Sequence, residues 1–125
     1  MALTCVNYVL NGVLLTGAQD GGLIKWQGTT AQKPVKHHTD AIWAIEKADN
    51  QSFFTGGNDG KVVCWNQSLA ALKTFDLTSQ VKFSPGVRSM DVGPQNKLLV
   101  GTRGSDVVEL SPGGQVTRTV VQGHF

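Results

Sequence analysis

Residues 53–65, FFTGGNDGKVVCW, constrain the fold more than any other stretch of this 125-residue chain. Two aromatics run into Thr55-Gly56. Asn58-Asp59-Gly60 follows, and then alternating apolar residues end at Trp65. The pattern predicts a strand, a tight turn and a second strand. Asp-Gly suits the turn, because glycine takes positive φ at no steric cost and Asp tolerates it. The stretch recurs. Residues 14–26 read LLTGAQDGGLIKW and residues 98–110 read LLVGTRGSDVVEL. The three align without gaps, so that Gly17, Gly56 and Gly101 coincide, as do Trp26, Trp65 and Leu110. The glycines stand 39 and 45 residues apart.

Each hairpin has a strand candidate before it and another after it. ALTCVNY, AIWAIEK and GVRSMDV begin fifteen residues ahead of the three glycines. Lys33-Pro-Val-Lys36, Leu72-Lys-Thr-Phe75 and Val116-Thr-Arg-Thr-Val120 follow the hairpins. They are more polar and read as outer strands. Pro34 fits an edge strand, because it cannot donate to a ladder on its far side. Four strands per unit at a period of about 40–45 residues is the signature of a propeller blade. The expected fold is all-β, with blades at about 2–36, 41–76 and 86–120 in one domain. Residues 121–125 would begin the loop of a following blade. The longest insertion, residues 76–85, accounts for the wider second spacing. Propellers usually close with four to eight blades. Three blades leave an apolar sheet face open at each end of the array, and open patches of that size need cover.

Composition sets few other bounds. Forty per cent hydrophobic and 16% charged residues exclude a disordered chain, and fifteen glycines agree with many turns. A net charge of +2 is too small to imply nucleic acid. Cys5 and Cys64 fall in different repeats with no C-x-x-C, so buried reduced thiols and a reducing compartment are expected. The segment MALTCVNYVLNG has neither the basic region nor the apolar run of a signal peptide, and no stretch approaches a membrane span. The expected location is the cytoplasm.

The Trp-ended hairpins, with Asp in the turn and His upstream, resemble WD40 repeats. More narrowly, HTDAIWAI, FFTGGNDGKVVCW, PGVRSMDV, LLVGTRGSDVVEL and VVQGH resemble the echinoderm microtubule-associated-protein-like family. Thr-Gly-Gly-x-Asp-Gly is generic to WD40 repeats. GVRS followed by LLVGTRxS and then VQGH is more specific. The likeness covers essentially the whole chain and implies about three blades of a protein that carries two fused propellers. It also implies a non-enzymatic scaffold, a cytoskeletal location and tubulin or microtubules as partner. His37, His38 and His124 have no HExxH or paired-Cys spacing, so no metal is expected, and no cofactor is expected either.

The resemblance further implies a buried network of four side chains in each blade. In the second unit these are His38, Thr55, Asp59 and Trp65. A His/Asp pair of this kind would need a nucleophile to be catalytic, and the repeat places none. The third unit replaces the set with Phe83, Val100, Gly104 and Leu110. The first has Thr16, Asp20 and Trp26, but its His would lie seventeen residues before Thr16, ahead of residue 1. His124 lies seventeen residues before Thr16 if the end of one copy is joined to the start of another. The expectation is head-to-tail self-assembly into a ring, in which His124 of one copy completes Thr16, Asp20 and Trp26 of the next. A dimer of six blades is favoured over a trimer of nine, since nine exceeds the usual range. The other possibility is a missing partner segment that supplies the remaining blades.

Other motifs carry less. Gly56 to Lys61 resembles a phosphate loop, but its spacing is short and Val62 stands where magnesium would need Ser or Thr. Asp20, Asp59 and Asp106 fall in turns, where a structural role outweighs acid–base work. Trp43, on an inner strand, has two readings, lining the channel or packing in the core, and core packing is expected. The loops joining fourth to first and second to third strands should share one face. Lys61 and Arg103 there are candidate partner-contact rim residues, with residues 77–85.

Overall fold

The structure, a computed structural model, describes residues 3–9, 13–48, 52–66, 68–78, 86–93, 97–104, 106–111 and 116–121. Every regular element in them is a strand. The first sheet holds β1 (Leu3–Val9), β2 (Val13–Ala18), β3 (Gly22–Gln27), β4 (Thr30–Ala31) and β5 (Val35–Lys36). The second holds β6 (Ile42–Lys47), β7 (Ser52–Gly57), β8 (Lys61–Asn66) and β9 (Ala71–Asp76). The third holds β10 (Val87–Val92), β11 (Leu98–Thr102), β12 (Asp106–Leu110) and β13 (Val116–Val121). The second and third sheets are antiparallel meanders in chain order, and the first is so from β1 to β4, with β5 also pairing with β3.

The repeat hairpin keeps one register in all three blades: Thr16 pairs with Ile24, Thr55 with Val63 and Val100 with Val108. Gly21 and Gly60 take φ of 90° and 79° in the first two turns, the left-handed conformation the Asp-Gly pairs imply. The outer strand of the first blade differs from expectation. It is split, with β4 and β5 both pairing with β3 and residues 32–34 between them. Pro34 has no N–H to continue the ladder there.

The blades stack through their inner strands. β6 packs against β1 and β2 of the preceding blade, and β10 packs against β6 and β7. Successive side chains of a strand point to opposite faces, so the middle blade is buried on both. Phe53, Val63 and Trp65 join Leu15 and Ile42 on the first-blade side, while Phe54 and Val62 join Val87 and Val100 on the third-blade side. Full burial of side chains of this size contributes roughly 1.5–3 kcal/mol each. Close approach depends on the repeat glycines. A Cβ on Gly17 would sit 2.7 Å from Ile42 Cγ2, and one on Gly56 would collide with Val87 Cγ1.

Each inner strand also carries a bulge near its start. The register shifts between Leu3 and Cys5, between Ile42 and Ala44, and between Val87 and Ser89. The residues thrown out of the ladder are Thr4, Trp43 and Arg88. A bulge of this kind re-aims a side chain.

Candidate functional site

The second blade brings four polar side chains into one buried cluster. His38 lies in the loop before β6, Thr55 on β7, Asp59 in the following turn and Trp65 on β8. Trp65 Nε1–H donates to Thr55 Oγ1 at 2.8 Å, and His38 Nε2 lies 2.7 Å from the same oxygen. On the other side of the ring, Nδ1 lies 3.1 Å from both Asp59 oxygens. Asp59 also accepts from the backbone N–H groups of Thr39 and Lys61, at 3.0 and 3.1 Å. With Nδ1–H donating to Asp59, Nε2 accepts the Thr55 hydroxyl proton, and every polar atom has a partner.

The His38–Asp59 pair is closed off from solvent. The His38 side chain is fully enclosed and that of Asp59 is 4% exposed. Burial pushes the Asp59 carboxyl up. The hydrogen bond and charge of His38, with the Thr39 and Lys61 N–H groups, outweigh it and hold the group below the ordinary carboxylate range. Gly57 makes room for the imidazole, since a Cβ there would stand 2.5 Å from His38 Nδ1. His37 sets its ring edge-on to Trp65, with ring centres 5.6 Å apart.

The first blade holds part of the same arrangement. Trp26 Nε1–H donates to Thr16 Oγ1 at 2.9 Å, and Thr16 is buried. Asp20 accepts from Gly22 N–H at 3.0 Å, but its other oxygen turns outward to Lys36, 3.7 Å away. Both partners of that pair are more than half exposed, so it contributes little. Among the described residues no imidazole stands between Thr16 and Asp20. His124 lies outside the described residues, as does Phe83. In the third blade Val100 and Leu110 are buried in the apolar cluster shared with the second blade.

The rim candidates separate. Arg103 Nη1 donates to Asn58 Oδ1 at 3.2 Å, and Asn58 Nδ2 donates to Asp40 at 2.9 Å, so a polar strap crosses from the third blade to the second. Gly86 allows this approach, since a Cβ there would lie 2.6 Å from Asn58 Oδ1. Lys61 is half-buried at the start of β8. Of residues 77–85, only Leu77 and Thr78 are described, and Leu77 is buried.

Trp43 is not in the core. It is 38% exposed on the bulge of β6, and the Arg88 guanidinium carbon lies 5.5 Å from its ring centre. Alternation alone places an inner-strand Trp inward, and the one-residue bulge turns it out. A cleft of about 280 Å³ runs beside it along the inner strands, lined by Cys5, Trp43, Glu46, Arg88, Ser89 and Met90 among others. Burial, and then the negative charge of Asp91, push the Glu46 carboxyl up. Among the described residues no group of His, Cys, Asp and Glu side chains is placed to hold a metal ion.

The stacked four-stranded meanders define a WD40-type part-propeller, a fold typically used as a non-catalytic scaffold. The WD domain, G-beta repeat family matches residues 30–66. The solved WD40 β-propeller domain of Doa1 superposes with a TM-score of 0.82 at 18% identity, covering 95% of this chain and 40% of that one. In sequence, the chain is similar over 96% of its length to two curated relatives. It is 28% identical to mouse echinoderm microtubule-associated protein-like 1 and 25% identical to human echinoderm microtubule-associated protein-like 4. It spans 15% and 13% of their lengths.

Proposed function

We propose that this chain is a non-catalytic propeller segment of a cytoskeletal scaffold, that it works by closing into a ring with further blades, and that tubulin or microtubules are its partner. Cytoplasmic location follows from that partner. The relatives' names support the partner, and the enclosed His38–Asp59 pair supports a structural rather than a chemical role. Cosedimentation with taxol-stabilised microtubules tests the partner. Retention of the chain in the pellet, above a bovine albumin control, is expected; recovery wholly in the supernatant overturns it.

One relationship carries the ring. Ile42 and Val87 occupy equivalent positions and are wholly buried against Gly17 and Gly56 of the preceding blades. The first blade's equivalent, Leu3, is 51% exposed. The third blade's glycine, Gly101, has its own blade's Ser89 as the source of all its nearest Cβ neighbours. Among the described residues the array therefore offers an unfilled apolar knob at one end and an unfilled glycine face at the other. In a solution of this chain alone, a second copy supplies both and the ring has six blades. His124 of each copy would then enter beside Thr16, Asp20 and Trp26 of the other, drawing Asp20 from Lys36. Ala18 stands where the second blade has Gly57, so the incoming imidazole must sit farther out than His38 does.

A further inference from the structure

The three blades carry different side chains opposite the repeat glycine in the ladder: Cys5 pairs with Gly17, Ala44 with Gly56 and Ser89 with Gly101. Where the first blade meets the second, Cys5 Sγ lies over Gly17, 2.7 Å from where a Cβ on that glycine would stand. Its thiol reaches the backbone carbonyl of Ile42 in the second blade at 3.6 Å, and the Thr4 hydroxyl reaches the same carbonyl. That carbonyl sits at the β6 bulge, beside the side chain that covers Gly17. Where the second blade meets the third, Val87 covers Gly56 alike, but Ala44 brings no donor. The third blade carries a donor again. Ser89 Oγ lies over Gly101, 2.6 Å from where a Cβ would stand. Ser89 is exposed, and its hydroxyl has no hydrogen-bond partner among the described residues.

We propose that the Ser89 hydroxyl seats the incoming blade by donating to the backbone carbonyl of Leu3 in a second copy of this chain. Leu3 is the equivalent of Ile42: each is the last paired residue before its inner-strand bulge, Leu3 with Ala18 and Ile42 with Gly57. A second copy therefore presents together an exposed aliphatic side chain for Gly101 and a bulge carbonyl for Ser89. The two contacts do different work. Apolar burial is non-directional and does not by itself fix how far one inner strand slides along the other. A hydrogen bond fixes distance and angle. Closure also strips water from the hydroxyl, which costs free energy unless an acceptor takes its place. The inference rests on the six-blade ring proposed above.

Sedimentation equilibrium of the chain and two variants tests it. Ser89→Ala copies Ala44, which packs at a formed interface, so a loss there is not steric. It should weaken dimerisation about thirtyfold, since the ring has two such interfaces and each loses about fivefold. Ser89→Cys copies Cys5, a weaker donor, and should recover part of that loss. Urea unfolding of the dissociated chains should have the same midpoint in all three, because the hydroxyl bonds to nothing within its own chain. A Ser89→Ala dimer as tight as that of the unaltered chain, no recovery in Ser89→Cys, or a lowered midpoint that accounts for the weaker dimer overturns the contact and leaves the ring standing. Single-chain mass for the unaltered chain at high micromolar concentration overturns the ring and the contact together.

Discussion

Ile42 of the second blade lies against Gly17 of the first, so closely that a methyl group on Gly17 would stand 2.7 Å from Ile42 Cγ2. Val87 repeats the relationship on Gly56. The glycines that align in the sequence are therefore contact points between blades as well as parts of a hairpin. Gly56→Ala should destabilise the chain by about 1–3 kcal/mol through overpacking, and Val87→Ala in the same chain should recover part of the loss. Urea unfolding of the single and double variants reads this. Additive losses would show that the two residues do not meet as described.

Thr55 and Thr16 have the same neighbour on the third strand but different total partners. Thr55→Val leaves His38 Nε2 and Trp65 Nε1 without a partner in a buried site, for a loss of about 2 kcal/mol or more. Thr16→Val strands only Trp26 Nε1, which is less deeply buried, and should cost about 1 kcal/mol. Equal losses in chemical denaturation would show that the His38 contact adds nothing.

Acid should loosen the second blade through Asp59. Its folded pKa lies below the ordinary value of 3.8, so its contribution is fully present above that value and is lost as pH falls through the lower folded one. The stability of the native chain should therefore fall below about pH 4. Asp59→Asn should be less stable at pH 7 and show a shallower loss in acid. A melting temperature with the same acid slope in both chains would remove Asp59 from the account.

Much of this was legible in the sequence because local chemistry and global fold agree. The Asp-Gly turns, the aligned glycines and the Trp-ended hairpins placed β2–β3, β7–β8 and β11–β12. Polar outer strands marked the edges. The bulges were not legible, since an extra residue in a ladder leaves no period to detect; for that reason Trp43 was expected inside and is found outside. Asn58 was likewise hidden. It looked like a turn residue, and only the third dimension sets its amide between Asp40 and Arg103. The break in the first outer strand had its signal in Pro34, read there as an edge marker.

Cys5 should be a poor nucleophile. Burial pushes its thiol up, against smaller opposing effects of hydrogen bonds involving Thr4 and Gly17, and its Sγ lies 3.6 Å from the Ile42 carbonyl oxygen. Iodoacetamide at pH 8 should modify Cys5 at least about tenfold more slowly than a free cysteine peptide, since it is the thiolate that reacts. Mass spectrometry of tryptic fragments gives the rate. Labelling as fast as the peptide would place Cys5 in solvent.

The claim that the two ends of the array complete each other is tested most directly by the mass of the 125-residue chain in solution. Light scattering at micromolar concentration should give twice the 13.4 kDa of one chain, and Leu3→Asp, which puts a charge on the exposed knob, should return a folded species of single-chain mass. A mass of 13.4 kDa for the unaltered, folded chain, or a dimer indifferent to Leu3→Asp, would contradict it.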